Sequence, residues 1–159
     1  MKAKRGFTLV EILIVVVILG ILAAIVIPQF TQASTEAKTN SLMSDLQTLR
    51  SQIELYKVQH NDNPPDFASF ENQMIYCTDV GGNIQGAGSK QRDEANGFIY
   101  GPYLERIPAN PFNDLSTVDN SGAVGDNAGG WEYNENTGEI YADDNTDADG
   151  DGTADHIDL

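Results

Sequence analysis

RGFTLVEILIVVVILG, residues 5–20, is an apolar run broken by a single carboxylate, Glu11. A carboxylate in hydrocarbon costs several kcal/mol unless something pairs with it, so Glu11 marks this run as functional rather than merely greasy. The run continues through Leu22, Ala23, Ala24, Ile25 and Val26, giving 21 residues from Phe7 to Ile27 without a basic side chain. At about 1.5 Å per helical residue that length reaches roughly 30 Å, the thickness of a bilayer core. Lys2, Lys4 and Arg5 precede it and the next basic residue is Lys38, a distribution that predicts a cytoplasmic N-terminus and an extracytoplasmic remainder.

Pro28 closes the apolar run, yet helix formers continue from Ala33 to about Asn61, with Leu42, Leu46, Leu49, Ile53 and Tyr56 at spacings of four and three. That stripe predicts one buried face on an amphipathic helix. The expectation is a single long helix, kinked near Pro28 because proline removes one backbone donor, with residues 7–27 as its transmembrane half and 28–61 as its amphipathic half. This continuation argues against reading Leu22-Ala23-Ala24 as a signal-peptide cleavage site. Asn61-Asp62-Asn63-Pro64-Pro65 supplies turn formers and then two residues that cannot propagate a helix, so a separate C-terminal domain, residues 62–159, begins there.

Within that domain Phe67, Phe70, Met74 and Ile75 suggest a short helix, Gly81-Gly82 and Gly86-Ala87-Gly88 a loop, and GPYLERIPANPF (101–112) an extended segment packed through its apolar residues. WEYN and EIYA, separated by Glu135-Asn136-Thr137-Gly138, read as a β-hairpin with Trp131 in the core. The fold class expected is therefore α+β: a long N-terminal helix packed on a small domain with an antiparallel hairpin.

The chain carries 24 acidic against 9 basic side chains, three of the latter before residue 7, and so acidic a body repels phosphates. The remaining cations, Lys38, Arg50, Lys57, Lys90, Arg92 and Arg106, are scattered and form no strip for nucleic acid. With two histidines, no glycine-rich phosphate loop and no nucleophile elbow, nothing in the sequence assembles a catalytic constellation, and no enzyme is expected. Cys77 is the single cysteine, so no internal disulfide staples the fold. It reads as a small semi-buried apolar residue.

The C-terminal DADGDGTADHID, residues 147–158, has a different character. Oxygen donors fall at positions one, three, five, nine and twelve as Asp147, Asp149, Asp151, Asp155 and Asp158, with Gly152 at six and the Thr153 carbonyl at seven. This is calcium-loop spacing, and Ca2+ is the cofactor expected at residues 143–159, with Asp143 and Asp144 placed either to complete the shell or to clamp the tail to the hairpin. The alternative is a solvated acidic tail.

Lys4-Arg5-Gly6-Phe7-Thr8-Leu9-Val10-Glu11 and the apolar run after it resemble the leader and first helix of type IV pilins and type II secretion pseudopilins. The GPYLERIPANPF segment and the hairpin are similar to the body of the major pseudopilin. The resemblance implies a leader, residues 1–6, cut between Gly6 and Phe7 by a prepilin peptidase, N-methylation of Phe7, and polymerisation into a helical homo-oligomer with the pilus or secretion assembly machinery. It implies that Phe7, Glu11, Gly20 and Pro28 serve assembly, Glu11 pairing with the Phe7 amine of a neighbour. The subunit would sit in the inner membrane and then in a periplasmic pseudopilus or extracellular pilus. The absent cysteine pair points to the pseudopilin-like branch; a membrane-anchored calcium-binding minor pilin or adhesion module is the alternative.

Overall fold

The computed structural model describes residues 7–145. Helix α1 spans Leu9–Gln59 and passes through Pro28 without interruption. The chain forms two compact units, one ending at Lys38 and the other beginning at Thr39.

In the first unit the helix is apolar all round as far as Ile27, with a mean hydropathy of 3.3 over its best 18-residue window and 0% of that window buried. Large side chains such as Val10, Leu13, Val17, Leu22 and Ile27 are all more than half exposed. It is the one described helix long and apolar enough to cross a membrane. A continuous apolar surface of this size marks a membrane or protein contact.

In the second unit α1 changes character as its sequence does. Leu42, Leu46, Leu49, Ile53 and Tyr56, the residues of the predicted stripe, are the buried residues of α1. They pack with Phe70, Met74, Tyr103, Leu104, Ile107, Trp131, Tyr133, Ile140 and Ala142 into one hydrophobic core. The helix ends where the turn residues begin: Asn61 and Asp62 have φ of 56° and 68°, a left-handed pair that lets the Asp62 N–H reach back 2.8 Å to the Lys57 carbonyl. Pro64 and Pro65 then carry the chain away, and the Pro65 carbonyl accepts the Tyr133 hydroxyl at 2.8 Å.

The short helix expected after the prolines is a 3-10 turn, Phe67–Ser69, leading into α2, Phe70–Ile75. Phe70 meets Tyr133 with ring centroids 4.5 Å apart. The proline-rich segment lies as an extended packed loop, tied to α2 by N–H groups of Tyr103 and Leu104 that both donate to the Met74 carbonyl at 2.9 Å.

The hairpin forms from β2, Trp131–Asn134, and β3, Glu139–Ala142, paired antiparallel with Trp131 opposite Ala142 and Tyr133 opposite Ile140. Period-two alternation places Trp131, Tyr133, Ile140 and Ala142 on one face, where all four reach the core. Gly138 closes the turn at φ 78°, and a Cβ there would stand 3.3 Å from both Lys57 and Pro64, so close approach to α1 also favours glycine. A third strand was not legible beforehand: β1, Val118–Asp119, pairs parallel to β2, giving the order β1-β2-β3. Two residues are too few to leave a periodic signal.

Cys77 is fully buried, more so than its semi-buried expectation, and burial pushes its thiol pKa up, so it is an inert core residue. His60, legible only as a helix-end residue, is also buried. Its ring stacks on Tyr56 at 3.7 Å, and its two nitrogens lie 2.8 Å from the Tyr56 carbonyl and 3.0 Å from the Thr78 hydroxyl.

Candidate functional site

The chemistry-bearing residues of the first unit cluster at the start of α1. The N–H and the hydroxyl of Thr8 both donate to Oε2 of Glu11, each at 2.8 Å, and the Glu11 N–H donates back to the Thr8 hydroxyl at 3.3 Å. This reciprocal capping box satisfies backbone donors that the first turn of a helix otherwise leaves bare. The Thr-x-x-Glu spacing that announces it stands in the sequence, but the reading of Glu11 as an intermolecular partner hid its local role. A carboxylate at a helix N-terminus also interacts favourably with the macrodipole. Both Thr8 donors fall on the same carboxylate oxygen, Oε2.

Phe7, just before the box, is 82% exposed. Gly6 lies outside the described residues, as do Lys2, Lys4 and Arg5. Gly20 sits on an open helix surface, where a Cβ would meet nothing within 4 Å inside the chain. Near Pro28 the Thr31 hydroxyl donates to the Ile27 carbonyl at 3.1 Å, a side-chain bond within the turn that proline perturbs.

The acidic end divides at Asn145. Asp147, Asp149, Asp151, Thr153, Asp155 and Asp158 lie outside the described residues. Asp143 and Asp144 are buried and structurally occupied. Oδ1 of Asp143 accepts the N–H groups of Gly125 and Asn127 at 2.9 and 3.3 Å, and its Oδ2 accepts that of Gly129 at 2.8 Å, so one carboxylate gathers the loop before β2. Asp144 accepts from the Asn110 side chain at 3.0 Å, and Asn110 also donates to the Gly130 carbonyl at 3.1 Å. The two aspartates thus fasten the end of β3 to the proline-rich loop and to the loop at 125–130.

Glu132 is a site residue that sequence did not indicate. Between Trp131 and Tyr133 in a half-buried strand it belongs on the outer face, yet it is only 4% exposed because the loop after β1 covers it. Its Oε1 accepts the Gly122 N–H at 2.6 Å, while Oε2 is buried without a hydrogen bond. Burial holds its pKa above the usual carboxylate range; the Gly122 bond opposes that shift, and the charges of Asp119, Asp143 and Asp126 add to it. An orphaned buried carboxylate oxygen suits a hard cation. Even so, no three His, Cys, Asp or Glu side chains among the described residues converge on a metal position. This part of the chain makes no metal centre by itself.

The first 27 residues match the model of the prokaryotic N-terminal methylation motif. The chain is 41% identical over 113 residues to the type II secretion system core protein G of Pseudomonas aeruginosa, covering 71% of each chain. To the protein of that name from Klebsiella pneumoniae it is 30% identical over 112 residues, 70% of this chain and 71% of the other. The Escherichia coli protein of the same name is 27% identical over 122 residues, 77% of this chain and 76% of its own. No solved structure matches. The likeness therefore runs from the methylation motif through much of the second unit, and the chain belongs to the type II secretion system core protein G family.

Proposed function

We propose that this chain is a structural subunit that polymerises into the pseudopilus of a type II secretion system. The observation that carries the reading is the contrast between its two units. The second buries a complete core of its own, whereas the first exposes an apolar stretch of helix, residues 9–27, whose single carboxylate, Glu11, is held at its first turn. Such a helix is a membrane anchor before assembly and the natural core of a bundle after it.

The basic leader keeps the N-terminus cytoplasmic and places the second unit across the inner membrane. Cleavage by the prepilin peptidase after Gly6 creates a cationic amine on Phe7, which is then methylated. In a membrane that amine and the Glu11 carboxylate are both poorly solvated. Pairing Glu11 of one subunit with the Phe7 amine of the next neutralises both. A head-to-tail contact of this kind does not close on itself and so extends into a helical filament. Gly20 allows close helix approach, and the stretch from Gly20 to Pro28 is where the helix unwinds when the filament is stretched. The chain has no catalytic role in this reading.

Processing has a direct check. Mass spectrometry of the mature protein is expected to give a chain beginning at methylated Phe7. A chain that retains Met1, or that begins near Ala24, contradicts the anchor reading.

We also propose calcium at the aspartate-rich end, on the spacing of Asp147, Asp149, Asp151, Asp155 and Asp158 with the Thr153 carbonyl. Affinity on the order of 10⁻⁴–10⁻³ M is typical of extracellular modules, and binding then stabilises the fold by mass action. In a thermal melt of the detergent-solubilised chain, calcium should raise the midpoint and magnesium should not. An equal response to both ions, or none, would leave the segment a solvated acidic tail.

A further inference from the structure

The end of α1, the turn after it and the hairpin turn border a cavity of about 280 Å³ in the second unit, lined by Tyr56, Asn63, Asp66, Gln73, Gly81 and Glu135 among others. One of its walls carries an unsatisfied group. Tyr56 is 2% exposed, yet its hydroxyl makes no hydrogen bond among the described residues, although a buried tyrosine hydroxyl ordinarily finds a partner. The hydroxyl end of the ring stands at the cavity: a Cβ added to Gly82 would lie 2.5 Å from its oxygen and 3.0 Å from Nε2 of Gln73. We propose that this cavity takes a primary ammonium group, the lysine side chain of a partner protein other than a second copy of this chain.

The acceptors beside the hydroxyl are held in place by the fold. Gln73, buried, accepts the Asp66 N–H through Oε1 at 2.8 Å, while its Nε2 donates to the Gly82 carbonyl at 3.0 Å and to Oδ2 of Asp66 at 3.4 Å. The Phe67 N–H donates to Oε2 of Glu135 at 3.2 Å. Oδ1 of Asp66 and Oε1 of Glu135 make no hydrogen bond among the described residues. Asn63 donates through Nδ2 to the His60 carbonyl at 2.9 Å, so Oδ1 is the end it keeps as an acceptor. No lysine or arginine lines the cavity, and the His60 ring has both nitrogens engaged, with the Tyr56 carbonyl and the Thr78 hydroxyl.

This donor set fits an ammonium better than its rivals. No three His, Cys, Asp or Glu side chains among the described residues converge on a metal position. The acceptors stand on three separate elements, which matches the three diverging N–H groups of an ammonium rather than the planar fork of a guanidinium. Of the lysines after residue 6, Lys57 is bonded to Glu54, Lys90 to the Glu105 carbonyl, and Lys38 also has a partner, so a second copy has none to spare. With 24 acidic against 9 basic side chains, the chain attracts basic proteins and repels its own kind.

The proposal is independent of filament assembly and is tested on the isotope-labelled full chain in detergent. Nα-acetyl-lysine amide is titrated in while the backbone amide resonances are followed. Saturable shifts are expected around residues 56–67, 80–82 and 135, half-complete at about 1–10 mM as a few partly exposed charge contacts give, and absent with the Nε-acetylated form. Glu135→Gln should weaken the binding about fivefold, and Tyr56→Phe, its fold checked in the same spectra, by about as much. Glu105→Gln removes an exposed carboxylate outside the cavity and should change nothing. Equal shifts from the Nε-acetylated form, an equal loss in Glu105→Gln, or binding of Nα-acetyl-arginine amide as tight as that of the lysine amide would each overturn the proposal. Self-association of the chain that the lysine amide reverses would overturn it too, by giving the cavity to a second copy.

Discussion

Replacing Glu11 with valine or alanine is expected to leave the protein inserted and processed but to reduce its assembly into filaments about a hundredfold at equal membrane abundance. The apolar span improves with the substitution, so insertion has no reason to suffer. What the proposed assembly would lose is the counter-charge for the Phe7 amine of the neighbour. Removing one partner of a buried ion pair costs about 3–5 kcal/mol. At about 1.4 kcal/mol per factor of ten, that is about two to three and a half decades in the equilibrium for adding a subunit, and a hundredfold is its lower end. The variant also loses the capping box with Thr8, whose contribution is about 1 kcal/mol and acts within the subunit. Thr8→Val separates the two effects: it removes the hydroxyl bonds of the box but keeps the carboxylate, and should reduce filament yield far less than Glu11→Val. Filament yield from gently lysed cells, measured against total membrane protein, reads both. Normal filaments from the Glu11 variants would make this carboxylate only a capping residue.

Trp131→Ala is expected to destabilise the second unit by about 3–5 kcal/mol, a large share of the about 5–15 kcal/mol that holds a typical domain folded. The indole is fully buried in the core, and its Nε1 donates to the Pro108 carbonyl at 2.8 Å. Truncation therefore leaves a cavity and also strips the proline-rich loop of a bond that no backbone group replaces. Trp131→Phe keeps most of the packing and gives up the hydrogen bond, so its cost should be nearer 1–2 kcal/mol. Limited proteolysis and denaturant midpoints of the full chain in detergent distinguish these cases. An alanine variant as resistant as the parent would mean that β2 is not central to the core.

Much of this was legible in the sequence because it rests on local rules. The stripe Leu42, Leu46, Leu49, Ile53 and Tyr56 is a matter of helical period, and all five are buried. The helix end at Asn61-Asp62 and the hairpin around Gly138 follow from residues that tolerate positive φ. What escaped was set by tertiary context. The strand Val118–Asp119 is two residues long and exists because β2 offers it an edge. Burial of Glu132 depends on a loop folding over the outer face of the sheet, and strand alternation gives no hint of it. Asp143 and Asp144 stood out as carboxylates beside an aspartate-rich run, which suggested cation binding. Within the fold their oxygens serve backbone N–H groups of the 125–130 loop and the side chain of Asn110. At the site itself Glu11 stood out by its cost in hydrocarbon, and its box with Thr8 was signalled by the Thr-x-x-Glu spacing but passed over in favour of an intermolecular partner.

The central claim is that subunits are joined through the first turn of α1. Imaging of filaments from native cells, at a resolution that traces this chain, tests it most directly. The account predicts helices of the first unit bundled at the filament centre, the second unit outside, and each Glu11 carboxylate within hydrogen-bonding distance of the Phe7 amine of an adjacent subunit. A traced filament in which Glu11 contacts only its own Thr8, with the neighbouring amine paired elsewhere, would contradict it.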